Sequence, residues 1–206
     1  MEEKIAKIIA QYHSRIQEEQ KLMDVLPLEE GMNRRDEFLL SVGEEVAVFL
    51  NALVKKAKPT NVLEIGTSYG YSTMWLAEAV RTYGGKVITL ENDERKAMYA
   101  QQKLSDAGLS DYVEIVIGDA LEFLKQTNQT FDFVLLDLWK ELYIPSFDLF
   151  YPKLNSSAIV ISDNMIFPPH SRDEMDIYRN HLKNTNAFDT VLLPLGSGIE
   201  ISRLRN

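Results

Sequence analysis

Five short apolar runs, each followed by a stretch of helical periodicity, constrain this chain more than any other feature. They lie at 61–65, 86–90, 112–117, 131–136 and 158–161, and between them run helical segments at 71–83, 94–107, 121–126 and 143–154. Runs this short, rich in Val, Ile, Leu and Phe, suit strands buried on both faces, and strands joined through helices must run parallel. A further helix is expected at 171–185. The two last segments, 188–193 and 198–204, have no helix between them and predict an antiparallel hairpin around 194–198. Ahead of the alternation, Ile5, Ile8, Ile9, Tyr12 and Ile16 recur at helical spacing, and a second helix is expected at 38–56, stopped before Pro59. The expectation is one doubly wound α/β domain over 1–206, with a helical cap at 1–57 and a catalytic core at 58–206.

Composition narrows the function classes. The chain has 206 residues, enough for one sizeable core, and 45% of them are hydrophobic. It contains no run of about 18 apolar residues, as a membrane span needs, and its start lacks the basic-then-apolar layout of a secretory signal. A cytoplasmic protein with no membrane partner is the expectation. The net charge of −9 argues against broad contact with phosphate backbones, and the absence of cysteine excludes disulfides and thiolate metal sites.

Two acidic motifs follow apolar runs. Asp137-Leu138-Trp139-Lys140 comes after 131–136, and Ser162-Asp163-Asn164 after 158–161. Functional groups collect just past the carboxyl ends of parallel strands. Asp137, Asp163 and Asn164 together offer oxygen donors to a hard cation, which prefers about six oxygens and leaves roughly three positions for water and substrate. Magnesium is the first choice, with calcium or manganese as alternatives. Free phenols titrate near ~10, so a cation that lowers the pKa of an aromatic hydroxyl would matter at neutral pH. Lys140, three residues after Asp137, is placed to act as general base. Taken singly, Lys140 reads as a surface lysine and Asp163-Asn164 as a turn; their joint position favours chemistry. Trp139, Met165, Phe167, Pro168 and Pro169 can wall a flat aromatic substrate, although Trp139 suits a core position equally well.

The first strand runs into Glu64-Ile65-Gly66-Thr67-Ser68-Tyr69-Gly70 and then a helix. Gly66 and Gly70 permit a tight turn with close backbone approach to a ligand. With Ser68 and Tyr69 in the middle of the loop the dinucleotide fingerprint is missing, so a pyrophosphate is not expected there. Glu64 is placed to hold an ammonium group. Glu91, ending the second strand, is placed to accept from ribose hydroxyls, and Asp119 stands near an adenine ring. The plainer roles are a salt bridge for Glu64, a solvated strand end for Glu91 and a helix N-cap for Asp119. Strand, E-x-G-x-x-x-G, helix, strand and acid in that order point to S-adenosylmethionine. His13, His170 and His181 lie far apart and receive no role.

With these residues in view, the chain resembles the cation-dependent, S-adenosylmethionine-dependent O-methyltransferases, the catechol and caffeoyl-CoA branches included. The resemblance is strongest at 62–77, 131–143, 161–168 and 196–204, and the run Asp137-Leu138-Trp139-Lys140-Glu141-Leu142-Tyr143 is similar to the D-x-W-K-x-x-Y of the catechol enzymes. It implies a Rossmann-like seven-stranded sheet whose last strand runs antiparallel. It implies Asp137, Asp163 and Asn164 as metal ligands, Lys140 as the base, and Trp139 and Pro168 as clamps on the acceptor ring. Glu64, Gly66, Ser72, Glu91 and Asp119 match cofactor-binding positions, to which Ser68, Gly70 and Asp137 are added as neighbours in the same loops. The resemblance alone makes Glu200 the partner of the hydroxyl that is not methylated; composition makes it a solvated strand residue. The resemblance covers nearly the whole chain beyond about residue 30; Leu138 departs from the histidine of the catechol enzymes, and the N-terminal region matches poorly apart from Met32-Asn33.

The expected activity is methyl transfer to a hydroxyl of a catechol-like small molecule by a homodimeric enzyme. A hydroxyuridine of tRNA is the alternative acceptor, for which Arg34, Arg35, Arg172 and Arg179 would supply a basic patch. A dinucleotide-dependent oxidoreductase domain is the alternative from a different class.

Overall fold

A computed structural model describes residues 2–205; the side chains of Leu28, Met32, Asn33, Arg35 and His170 lie outside that description. The expectations for Met32-Asn33, Arg35 and His170 therefore concern side chains outside the described residues.

Seven strands form one sheet: β1 (Asn61–Ile65), β2 (Lys86–Glu91), β3 (Val113–Ile117), β4 (Phe131–Leu136), β5 (Leu154–Ser162), β6 (Phe188–Leu193) and β7 (Ile199–Leu204). Their order is β3-β2-β1-β4-β5-β7-β6, and β7 runs antiparallel to both β5 and β6. The expected doubly wound sheet and terminal hairpin are both present. The order reverses between β1 and β4, which opens a crevice at their carboxyl ends.

Helices cover both faces. On one lie α1 (Glu3–Met23), α3 (Glu44–Ala57), α4 (Tyr71–Arg81) and α5 (Glu94–Asp106), packed on Val62, Val87, Phe133, Leu135 and Ile161. The other face carries α6 (Ala120–Gln126), α7 (Tyr143–Phe150) and α8 (Arg172–Asn184) over Leu63, Ile88, Val134, Leu136 and Val160. The strand side chains alternate between the two cores, as a sheet covered on both sides requires. A short α2 (Leu28–Asn33) completes the cap. Among the described residues no helix is long and apolar enough to cross a membrane.

Three boundaries differ from expectation by more than two residues. The helix expected at 38–56 starts only at Glu44, because Gly43 sits at φ 84°, outside helical backbone, and the Leu39 amide donates to the Glu19 carboxylate at 2.6 Å. Residues 39–42 instead line a cleft. The helix expected at 143–154 stops at Phe150, and β5 begins at Leu154, four residues before its apolar run. Leu154 pairs with Phe131 of β4 ahead of a register shift, and Asn155 Nδ2 donates to Asp132 Oδ1 at 2.7 Å.

Candidate functional site

Strand register assembles the site. Ile65 lies beside Leu90 and Leu136, Leu136 beside Ser162, Ser162 beside Glu200, and Glu91 beside Ile117. The residues that follow or end the parallel strands, or begin the antiparallel β7, therefore share one edge of the sheet. They are Gly66, Glu91, Asp119, Asp137, Asp163, Asn164 and Glu200.

Gly66 joins the two halves of this edge. Its φ is +107°, and a β-carbon there would collide with the backbone carbonyl of Asp137, so only glycine lets the β1 loop and the β4 loop touch. The Asp137 amide also donates to the Ile65 carbonyl at 3.0 Å.

Glu64 is wholly buried. Its Oε2 accepts from the hydroxyls of Thr73, at 2.5 Å, and Thr89, at 2.6 Å, while Oε1 has no partner among the described residues. Burial pushes the carboxyl up to about 7 although the hydroxyls of Ser72, Thr73 and Thr89 pull it down. The salt bridge considered for Glu64 is not what holds it. Thr89 was not singled out in the sequence, yet it stands directly opposite Glu64 in the β1–β2 register, a buried polar residue in an apolar strand.

Glu91 is 8% exposed rather than solvated. Its two oxygens accept from the amides of Ser68, at 2.6 Å, and Asp93, at 2.9 Å, which fastens the glycine loop to the end of β2. Ser68 takes a left-handed φ of 49°, and Gly70 stands just before α4 at φ 86°. Asp119 caps α6 by accepting from the Glu122 amide at 2.9 Å and is exposed. Residues Leu39, Leu40, Ser41 and Val42 face Gly66–Ser72 and Asp137 across a narrow cleft.

The N-terminal helix braces that glycine loop. Tyr12 Oη donates to the Tyr69 carbonyl at 2.7 Å, and the Arg15 guanidinium lies 3.9 Å from the centre of the Tyr69 ring. Tyr69 Oη in turn donates to the Glu37 carbonyl at 3.2 Å. No motif signalled this brace; only the apolar face of α1 hinted that it packs at all.

At the ends of β4 and β5, Asp163 is 1% exposed and its Oδ1 has no partner among the described residues. Burial raises both the Asp163 and Asp137 carboxyls; Asp137 adds to the rise at Asp163, and Lys140 opposes it at both. Asn164 turns the chain at a left-handed φ of 53°, as expected of an Asx residue in a turn. Lys140 is no free surface lysine: its Nζ donates to Tyr143 Oη at 2.7 Å and to Asn164 Oδ1 at 3.2 Å. Among the described residues no cluster of three or more His, Cys, Asp or Glu that could hold a metal ion forms.

The rim is apolar. Trp139 is 46% exposed and therefore no core residue, Phe167 is 57% exposed, Pro168 is half-buried, and Met165 is buried. Glu200 corrects the expectation from composition. It is 2% exposed, and its Oε2 accepts from Arg179 Nε on α8 at 2.8 Å. Of the arginines considered for a tRNA patch, Arg179 pairs with Glu200 at 2.8 Å and Arg34 with Glu37 at 3.0 Å.

A family model described as O-methyltransferase matches residues 13–204. Catechol O-methyltransferase B of Danio rerio is 32% identical over 173 residues, covering 76% of this chain and 65% of that protein. A catechol O-methyltransferase of Niastella koreensis is 34% identical over 131 residues, covering 62% of this chain and 59% of the relative. The matched region thus spans less than two thirds of either relative. Among solved structures, an O-methyltransferase from Bacillus cereus in complex with SAH superposes with a TM-score of 0.75 at 28% identity, covering 90% of this chain and 96% of that one.

Proposed function

This chain belongs to the O-methyltransferase family, and on that premise we propose that it moves the methyl group of S-adenosylmethionine to a hydroxyl of a catechol-like small molecule. One observation carries the proposal. Gly66 holds the loop of Glu64 and Ser68 in direct backbone contact with the loop of Asp137 and Lys140, so a donor pocket and an acceptor pocket share a wall.

The residues present fit both ligands. The partnerless Glu64 Oε1 suits an ammonium group, and Glu91 and Asp119 stand at adjoining strand ends for the nucleoside. The partnerless Asp163 Oδ1, with Asp137 and Asn164, suits a divalent cation, magnesium by preference, since two raised carboxyls side by side favour added positive charge. Such a cation, when bound, would lower the pKa of an aromatic hydroxyl.

Lys140 removes the proton from the reacting hydroxyl. The hydroxyl oxygen then attacks the methyl carbon: a C–O bond forms, the C–S bond breaks, S-adenosylhomocysteine leaves, and the proton remains on the lysine. Trp139, Phe167 and Pro168 hold the ring flat, and Leu39–Val42 close the cleft opposite the glycine loop. Orientation of two reactants supplies most of the gain.

Incubation with S-adenosylmethionine, magnesium and caffeate or dihydroxybenzoate should give mono-methylated product. EDTA should abolish it, and so should Asp163→Ala. Full activity in EDTA removes the cation from the proposal. Failure to bind S-adenosylhomocysteine in calorimetry removes the proposal altogether.

A further inference from the structure

A lysine takes a proton in a site only where its amine is aimed at that proton, and its flexible four-carbon stem carries about 2 kcal/mol of rotamer entropy. Lys140 opens a single 3-10 turn after β4, which by itself does not aim the amine. Its Nζ donates to Tyr143 Oη at 2.7 Å, and to Asn164 Oδ1 and the Asp163 carbonyl at 3.2 and 3.5 Å.

Tyr143 itself has no freedom. It is wholly buried, the first residue of α7, and its ring meets Tyr178 edge to face with centroids 5.4 Å apart. Its hydroxyl donates to the Asp163 carbonyl at 2.9 Å. That proton is committed, so the phenol oxygen faces Lys140 as an acceptor only. One residue earlier the Tyr178 hydroxyl shares a hydrogen bond with the Ser162 hydroxyl at 2.8 Å. The two edge-to-face tyrosines thus register the end of β5 against α7 and α8.

We propose that Tyr143 is the positioning residue for Lys140. One buried hydroxyl fixes the amine and the Asp163 backbone relative to each other, and so sets the base against the acceptor oxygen. This rests on the methyl-transfer proposal above for its consequence, though not for the anchoring itself. The plain alternative is a core tyrosine whose hydroxyl is merely satisfied.

Tyr143→Phe keeps the ring and removes the hydroxyl. The turnover number should fall 10- to 100-fold, on the order expected when a reacting group shifts by about 1 Å. The Kd for S-adenosylhomocysteine should stay within about twofold. The discriminating measurement is a double-mutant cycle: with Lys140→Ala already present, Tyr143→Phe should cost nothing more. Losses that multiply would show that Tyr143 acts without Lys140 and overturn the proposal.

A second readout needs no activity. Acetic anhydride labelling, mapped by mass spectrometry, should modify Lys140 several-fold faster in Tyr143→Phe, measured against Lys125, whose side chain is 53% exposed. An unchanged ratio overturns the anchoring. If the wild type makes no methylated product, the functional proposal fails while the labelling still decides this one. Should Tyr143→Phe fold poorly, p-fluorophenylalanine at 143 fills the same space, and the same two outcomes apply.

Discussion

Replacing Glu64 by glutamine should stabilise the ligand-free protein at alkaline pH, by an amount its burial predicts. The carboxyl is wholly buried and raised from its ordinary 4.5 to about 7, chiefly by burial. A raised carboxyl means that the folded chain binds the proton more tightly than the unfolded chain. Stability contributed by this group is therefore greatest below pH 4.5 and declines as pH rises to about 7. At about 1.4 kcal/mol per pH unit, ionised Glu64 costs the fold about 3 kcal/mol, most of which develops between pH 5 and pH 8. Glutamine keeps the shape and an oxygen for Thr73 and Thr89 but cannot ionise. Urea denaturation without ligand at pH 5 and pH 8 should show the variant gaining about 2 to 3 kcal/mol on the wild type. The Asp137 charge adds to the rise at Glu64, so the difference reads residue 64 together with that coupling. Saturating S-adenosylhomocysteine should shrink that difference if its ammonium group sits against Glu64. Parallel stability curves from pH 5 to pH 8 would refute the reasoning.

Other expectations are simpler. Gly66→Ala must push a β-carbon into the Asp137 carbonyl from a φ of +107°; a loss of about 3 kcal/mol in urea denaturation and weaker S-adenosylhomocysteine binding should follow, and an unchanged midpoint would contradict the contact. Tyr12→Phe removes one hydrogen bond to the glycine loop, at a cost of about 1 kcal/mol, with a matching drop in affinity for S-adenosylhomocysteine in calorimetry. Arg179→Met strands the buried Glu200 charge, costing about 3 kcal/mol. Arg179→Met with Glu200→Leu should recover most of it, and additive losses would argue against a direct ion pair.

The strands were legible because burial on both faces writes itself as short apolar runs, and the acidic motifs because they directly follow two of them. What stayed hidden was decided by register or by backbone. The apolar positions Phe38, Leu39, Val42 and Val46 keep helical spacing across a stretch that is not helical, and only Gly43 marks the break. The pairing of Glu200 with Arg179 depends on β7 folding back antiparallel beside β5, which brings together residues 21 apart. Thr89 matters because it faces Glu64 across two strands, and no local pattern announces that. Tyr143 was visible within a motif, but its hydroxyl acquires meaning only where the Asp163 carbonyl arrives beside it.

The bare contact between Gly66 and Asp137 has an evolutionary consequence. Where two loops meet backbone to backbone, no side chain between them can be exchanged to lengthen or shorten the gap. The spacing between the two proposed pockets is then a property of the sheet, inherited whole. Diversification toward new acceptors is left to the perimeter, to Trp139, Phe167 and Leu40, where exposed positions accept change cheaply. A chain built this way can change its substrate without reinventing its chemistry.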